Sequence, residues 1–285
     1  MNTKLYISIF ILSFLFSCTE KFDVSLLDAK TNRLIVEGYF TSEYKTHQVI
    51  LSRTGSYFLN EPTKRETEAQ VSITDGDTII NLIDKDNKGI YKTDKEVAGK
   101  PGKTYTLNIK LKSGELYSAS EYMKPVMQMD SINNEYKKSD IPFDDSYNYN
   151  INIFAQEPST KGDYYQWEIF LNEKHISDTL RTKSFVNDEI VNGSYIGNWT
   201  VYQITDHKIE SDTVVARLQM LSISKAKYDY YNAVLLETDW SGSGFSGPPS
   251  NVPTNISNGA LGFFSVSAVT ESTTIIYKVK VIPKQ

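Results

Sequence analysis

Tyr105-Thr106-Leu107-Asn108-Ile109-Lys110-Leu111-Lys112 alternates apolar and polar side chains without a break, and Ser113-Gly114 then leads into Glu115-Leu116-Tyr117-Ser118-Ala119. Successive side chains of a strand point to opposite faces, so this alternation describes a strand buried on one side. Ser-Gly between two such runs is turn chemistry, and the whole reads as a β-hairpin. The same period-two signal recurs over residues 34–40, 49–53, 71–74 and 79–83, with turn residues between the runs. Together these runs predict a sandwich of roughly seven short strands over residues 33–122, of immunoglobulin-like or carboxypeptidase-regulatory-like type.

Met123-Lys124-Pro125 interrupts the pattern, and residues 139–146 are acidic and contain Pro142, so residues 123–146 are predicted as a linker. A second β-rich domain is predicted over 147–285. Its first strand, over 147–154, places Tyr149, Ile151 and Ile153 on one face and Asn148, Asn150 and Asn152 on the other. Further strands are predicted over 164–171 around Trp167, over 214–223 and over 262–269, and in a last strand Ile275, Tyr277, Val279 and Val281 alternate inward. Ser224 is suited to cap one short helix from Lys225 to about Glu237, with Tyr228, Tyr231 and Leu235 on a shared face. Residues 241–259 are rich in Gly, Ser, Pro and Asn, and a loop this long inside a compact domain is often functional. Trp240, Phe245, Pro248, Pro249 and Asn255 are therefore candidates for a docking or ligand loop. The competing reading is an ordered strap whose Phe245, Val252 and Ile256 fill gaps in the core.

At the other end, Lys4 precedes an uncharged run, residues 5–16, and Ser17 then precedes Cys18, the single cysteine. This is the order of a secretory signal peptide, predicted over 1–17. Twelve residues of helix span about 18 Å, well short of the ~30 Å hydrocarbon core, so a permanent transmembrane helix is not expected. Leu15, Ser17 and Cys18 fit a lipobox, which predicts cleavage before Cys18 and its attachment to acyl chains such as palmitate, each buried CH₂ contributing about 0.8 kcal/mol to membrane attachment. Thr19 rather than Asp follows the cysteine, which favours the outer membrane, and Glu20 with Asp23 favours its cell-surface face. Residues 18–32 then read as a polar tether. With its one sulfur used by the anchor, the fold has no disulfide to draw on and depends on core burial.

The formal net charge of −5, without clustered Lys and Arg, argues against nucleic-acid binding. The 19 Tyr and 13 Phe suit β-sheets and also glycan- or peptide-binding surfaces. His47, His175 and His207 are far apart and lack metal-ligand spacing, so no metal site is predicted and each reads as a solvated strand or turn residue. Asp84-Lys85-Asp86-Asn87-Lys88-Gly89 starts like a calcium loop, but Lys88 and Lys95 stand where that loop needs other residues, and a hairpin turn explains it better. No nucleophile elbow, phosphate loop or acid–base set is visible, so neither an enzyme nor a cofactor is expected. Asp77-Thr78-Ile79, Asp130-Ser131-Ile132, Asp178-Thr179-Leu180 and Asp212-Thr213-Val214 fit the Asp-Ser/Thr-aliphatic pattern of a bacterial O-glycosylation, making Thr78, Ser131, Thr179 and Thr213 candidate sites.

Cys18 followed by Leu34-Ile-Val-Glu-Gly-Tyr39, His47-Gln-Val-Ile-Leu-Ser-Arg-Thr54, Gly102-Lys-Thr-Tyr-Thr-Leu-Asn-Ile109 and Asn255-Ile-Ser-Asn-Gly-Ala-Leu-Gly-Phe-Phe264 resembles a Bacteroidota lipoprotein family known as DUF4249. The resemblance implies an outer-membrane lipoprotein, frequently encoded beside a TonB-dependent transporter, with no established catalytic activity and no defined functional residues. The expected function is that of a non-catalytic accessory or ligand-capture partner of such a transporter. The alternative is a freestanding glycan-binding or adhesion module that takes a glycan or peptide ligand.

Overall fold

A computed structural model describes residues 32–55, 63–238 and 252–279. The chain is mainly β, as its periodicity predicts. The first run of alternating segments becomes β1 (Leu34–Thr41), β2 (Gln48–Arg53), β3 (Gln70–Thr74), β4 (Ile79–Ile83), β5 (Ile90–Thr93), β6 (Thr104–Lys110) and β7 (Leu116–Tyr122). There follow β8 (Met129–Lys138), β9 (Tyr147–Gln156), β10 (Tyr164–Leu171), β11 (Lys174–His175), β12 (Ser184–Asn187), β13 (Tyr195–Thr205) and β14 (Thr213–Ile223). Helix α1 (Lys225–Thr238), β15 (Leu261–Ser267) and β16 (Val269–Tyr277) complete the described elements.

The β6–β7 hairpin forms as read, with Leu107 opposite Ala119 and Gly114 at φ +95° in the turn. Its surroundings differ from the expected two-sheet sandwich. The strands share one eight-stranded sheet in the order β15-β1-β2-β5-β4-β3-β6-β7, in which β15 runs parallel to β1. The sheet curls until its outer strands nearly meet. The segment before β15 closes the remaining gap: the Ser257 N–H donates to Ser118 O at 2.8 Å, and the Ser118 N–H donates to Ser257 Oγ at 2.8 Å. Curling one sheet buries the same alternate residues that a sandwich would, and it also shelters both edges, so the sequence pattern fits either arrangement. Leu34, Val36, Phe40, Leu51, Ile73, Leu107 and Phe264 fill the interior, together with Ile256 from the closing segment.

The second unit packs two sheets around a core of its own. One has the order β11-β10-β14-β16 with β12 also on β10, and the other is β13-β9-β8. Trp167, Ile151, Ile153, Ile204, Leu218 and Met220 are buried between them. The stretch expected to link the two units contributes β8 to the smaller sheet, while Met123 and Met127 enter the two cores. On β9 the asparagine face is buried as well as the apolar one. Side chains on the flanking strands satisfy it: Asn152 Nδ2 donates to Asn133 Oδ1 at 2.9 Å, Thr200 Oγ1 to Asn152 Oδ1 at 2.7 Å, and Gln203 Nε2 to Asn150 Oδ1 at 3.2 Å.

Two further differences concern the C-terminal part. In β16 the predicted inward face is reversed, because Ile276 is buried whereas Ile275, Tyr277 and Val279 are exposed. A one-residue shift exchanges the faces of a strand. Residues 274–277 read Thr-Ile-Ile-Tyr, with apolar side chains at both parities, so only the pairing of Ile276 with Val214 on β14 decides. The second difference is that β15 and β16 are separated by Ala268 alone. The chain passes from the first sheet straight into the second at this buried residue. Ser222 Oγ accepts from the Ala268 N–H at 3.1 Å and donates to Lys124 O at 2.6 Å, which fixes the crossing point. Gly262 tightens the parallel seam, since its φ is +88° and a Cβ there would come within 2.1 Å of Val36 O.

Candidate ligand-binding site

Beside the smaller sheet, β12, the turn after it, the start of β13 and α1 line a half-open pocket of about 570 Å³. β12 contributes Phe185 and Asn187, the turn Ile190, β13 Tyr195 and Trp199, and α1 Tyr228. Local sequence sets this geometry. The β13–β9 register shifts between Ile196 and Trp199, and Asn198 stands at φ +55°, a conformation asparagine adopts more readily than most residues. Such an irregularity re-aims side chains, and here it brings Trp199 onto Trp167 edge-on at 5.8 Å. Asn133 Nδ2 holds the shifted segment by donating to Asn198 Oδ1 at 3.1 Å. On the opposite wall the Phe185 ring meets Tyr228 edge-on at 5.6 Å and Tyr231 at 5.2 Å. Tyr195 and Ile190 remain exposed at the mouth. Flat ring faces joined to phenol and amide groups suit a sugar ring or an apolar peptide side chain.

The turn that lines this pocket is rooted in a buried acidic cluster. Glu157, Asp163 and Asp188 each offer a carboxylate oxygen within 4.8 Å of the others, and all three are buried. Lys124 Nζ lies 2.6 Å from Asp163 Oδ1 and donates to Gly162 O at 2.9 Å. The Tyr165 hydroxyl donates to Glu157 Oε1 at 3.0 Å, and the Gly162 N–H to Asp188 Oδ2 at 2.9 Å. Burial above all, with Asp163 and Asp188 adding repulsion, pushes the Glu157 carboxyl up to about 7. Burial likewise raises the Tyr165 phenol.

A buried cation marks the contact of α1 with the first sheet. Lys227 is almost wholly inaccessible, and its Nζ lies 4.4–4.9 Å from the ring centres of Tyr39, Tyr230, Tyr231 and Phe263. The Ser224 hydroxyl accepts from the Lys227 N–H at 3.1 Å, so the predicted cap also fixes this side chain's place on the helix.

Cys18, Trp240, Phe245, Pro248 and Pro249 lie outside the described residues. Asn255 is described, and its side chain is engaged within the fold. Its Nδ2 donates to Phe264 O at 2.8 Å and Glu121 Oε1 at 3.1 Å, and its Oδ1 accepts from the Phe264 N–H at 3.0 Å. Thr78, Ser131, Thr179 and Thr213 are all exposed, and Thr179 Oγ1 already bonds Thr182 Oγ1 at 3.0 Å. His47 is not the solvated residue that its sequence context predicts. It is buried against Phe40, its Nε2 lies 2.9 Å from Val97 O, and desolvation lowers its pKa. Asp84 closes the β4–β5 turn by accepting from the Lys88 and Gly89 N–H groups at 3.0 and 2.8 Å. Sequence reasoning missed the acidic cluster, whose members sit at three different strand ends. It also missed the pocket, although the aromatic residues at 185, 195, 199 and 228 were a partial signal.

Fold and site together define a mainly β protein built of two sheet units, with an aromatic-walled pocket on the second. The chain belongs to the family described as Domain of unknown function (DUF4249), which matches residues 19–273. No curated protein matches it.

Proposed function

We propose that this protein is a non-catalytic outer-membrane lipoprotein, anchored through Cys18 and facing the cell surface, that captures a ligand for a TonB-dependent transporter. The observation that carries this reading is the pocket, whose apolar, aromatic and amide lining is suited to holding a ligand. The lipobox around Cys18 and the resemblance of the chain to transporter-linked lipoproteins support the location and the partner. Exposure of Thr78, Ser131, Thr179 and Thr213 is compatible with their glycosylation during export. Purification of the native protein from detergent-solubilised outer membranes is expected to recover a transporter with it, and recovery of the protein alone would refute the partnership. Cys18→Ala is expected to move the protein to the soluble fraction.

A freestanding glycan-binding module is the second reading, favoured by the exposed Tyr195 ring at the mouth of the pocket. On this reading a glycan array identifies a ligand whose affinity falls about tenfold in Tyr195→Ala, a loss typical of an aromatic binding residue. Its side chain is exposed, so the fold is expected to tolerate the change.

A further inference from the structure

We propose that Glu157, Asp163 and Asp188 form a binding site for one divalent cation of the Ca²⁺ type. The three residues are buried, and one carboxylate oxygen of each lies within 4.8 Å of the others. Glu157 is 1 % exposed and, among the described residues, its Oε2 has no hydrogen-bond partner, while Oε1 takes the Tyr165 hydroxyl. A buried carboxylate oxygen without a donor is costly, and a cation among the three carboxylates supplies what it lacks.

The charge count agrees. With all three ionised, the carboxylates face one ammonium, that of Lys124, which leaves two formal negative charges for a divalent ion to balance. The remaining contacts hold the ligands in place: Thr160 Oγ1 donates to Asp163 Oδ2 at 3.3 Å and the Gly162 N–H to Asp188 Oδ2 at 2.9 Å. An all-oxygen donor set selects hard cations over zinc or copper. Ca²⁺–oxygen bonds of roughly 2.4 Å require any two ligand oxygens to lie no more than about 4.8 Å apart, a limit that this cluster meets. A second buried oxygen without a donor among the described residues, Asn192 Oδ1, lies on the turn whose N–H groups at Val191 and Asn192 bond Asp188 O at 3.0 and 2.9 Å. The ion would thereby join the end of β9, the start of β10 and the turn after β12, stiffening the wall that carries Ile190.

The test uses the full-length chain in detergent, stripped with EDTA and then titrated with CaCl₂ by calorimetry and with TbCl₃ by tyrosine-sensitised luminescence, for which Tyr165 is the donor. One site per chain and a rise in Tm with Ca²⁺ are expected. Glu157→Gln is expected to weaken Ca²⁺ binding at least about tenfold and to abolish the rise in Tm. In EDTA it should melt at or above the wild-type temperature, because the unpartnered charge has gone. Should that variant fail to fold, Asp188→Asn is read in the same way. No heat and no Tm shift up to about 5 mM Ca²⁺, beyond the range of weak extracellular sites, or binding unaltered in both variants, would overturn the assignment.

Discussion

Lys227 carries an ammonium into the contact between α1 and the first sheet, where ring faces replace water. Cation–π attraction offsets part of the desolvation. Burial still dominates, with repulsion from Lys183 second, and the pKa falls from 10.5 to about 7. The folded protein then releases a proton that the unfolded chain keeps until 10.5, so unfolding takes up a proton between about pH 7 and 10.5. Stability accordingly rises with pH across that window, and below it the penalty for charging the buried amine is present in full. Lys227→Met keeps the length of the side chain without the charge. It is expected to stabilise the protein at pH 7 by roughly 1–4 kcal/mol and to flatten the rise at higher pH, as measured by urea unfolding at several pH values. A variant less stable throughout the range would show that the cage outweighs the burial.

Among the elements, the segment before β15 matters most for closure. Asn255 satisfies both backbone groups of Phe264 and reaches Glu121 on β7, so it ties the two outer strands of the curled sheet together. Asn255→Ala is expected to cost roughly 1–3 kcal/mol, the penalty for leaving buried backbone groups unpaired, read as a lower midpoint in chemical denaturation. The sequence reading foresaw Ile256 as a core plug but could not see this clamp, because a hydrogen-bonding asparagine and a loop asparagine look alike until β15 is placed. Strands with strict alternation, such as β6 and β7, were legible together with their turn. β8 was not, because Asp130, Asn133, Asn134 and Glu135 mask a strand that buries little of its surface. Helix α1 was legible from Ser224 and its tyrosine spacing, whereas the burial of Lys227 runs against the ordinary preference of lysine for the surface.

In the molecule as a whole, the crossing at Ala268 makes the two units share one continuous stretch of chain. Trp167 and Trp199 lie in the second unit, so in a Trp240→Phe background tryptophan fluorescence reports on that unit. Leu107 lies fully buried in the other unit. Leu107→Ala is expected to lower the tryptophan-detected unfolding midpoint, by an amount equivalent to about 2–5 kcal/mol. An unmoved tryptophan transition would mean that the units unfold independently. This crossing was hidden in the sequence, where residues 262–269 read as one strand of a later domain. The pairing partner of β15 is β1, more than two hundred residues earlier, and no local pattern records a parallel seam of that separation. The acidic cluster was hidden for the same reason, since Glu157, Asp163 and Asp188 meet only after β9, β10 and β12 have assembled.

That seam also has a mechanical side. β1 is the first described strand after the proposed tether, and it is paired on both flanks, with β2 from Leu34 to Tyr39 and with β15 from Ile35 to Thr41. Antiparallel ladder bonds lie across the strand axis, so tension entering at Leu34 and directed along β1 loads the β2 ladder in shear, many bonds at once, instead of peeling them singly. Because β15 runs on into β16, part of that load passes to the second sheet. On the proposed N-terminal anchorage, the chain would thus be gripped where the pull arrives.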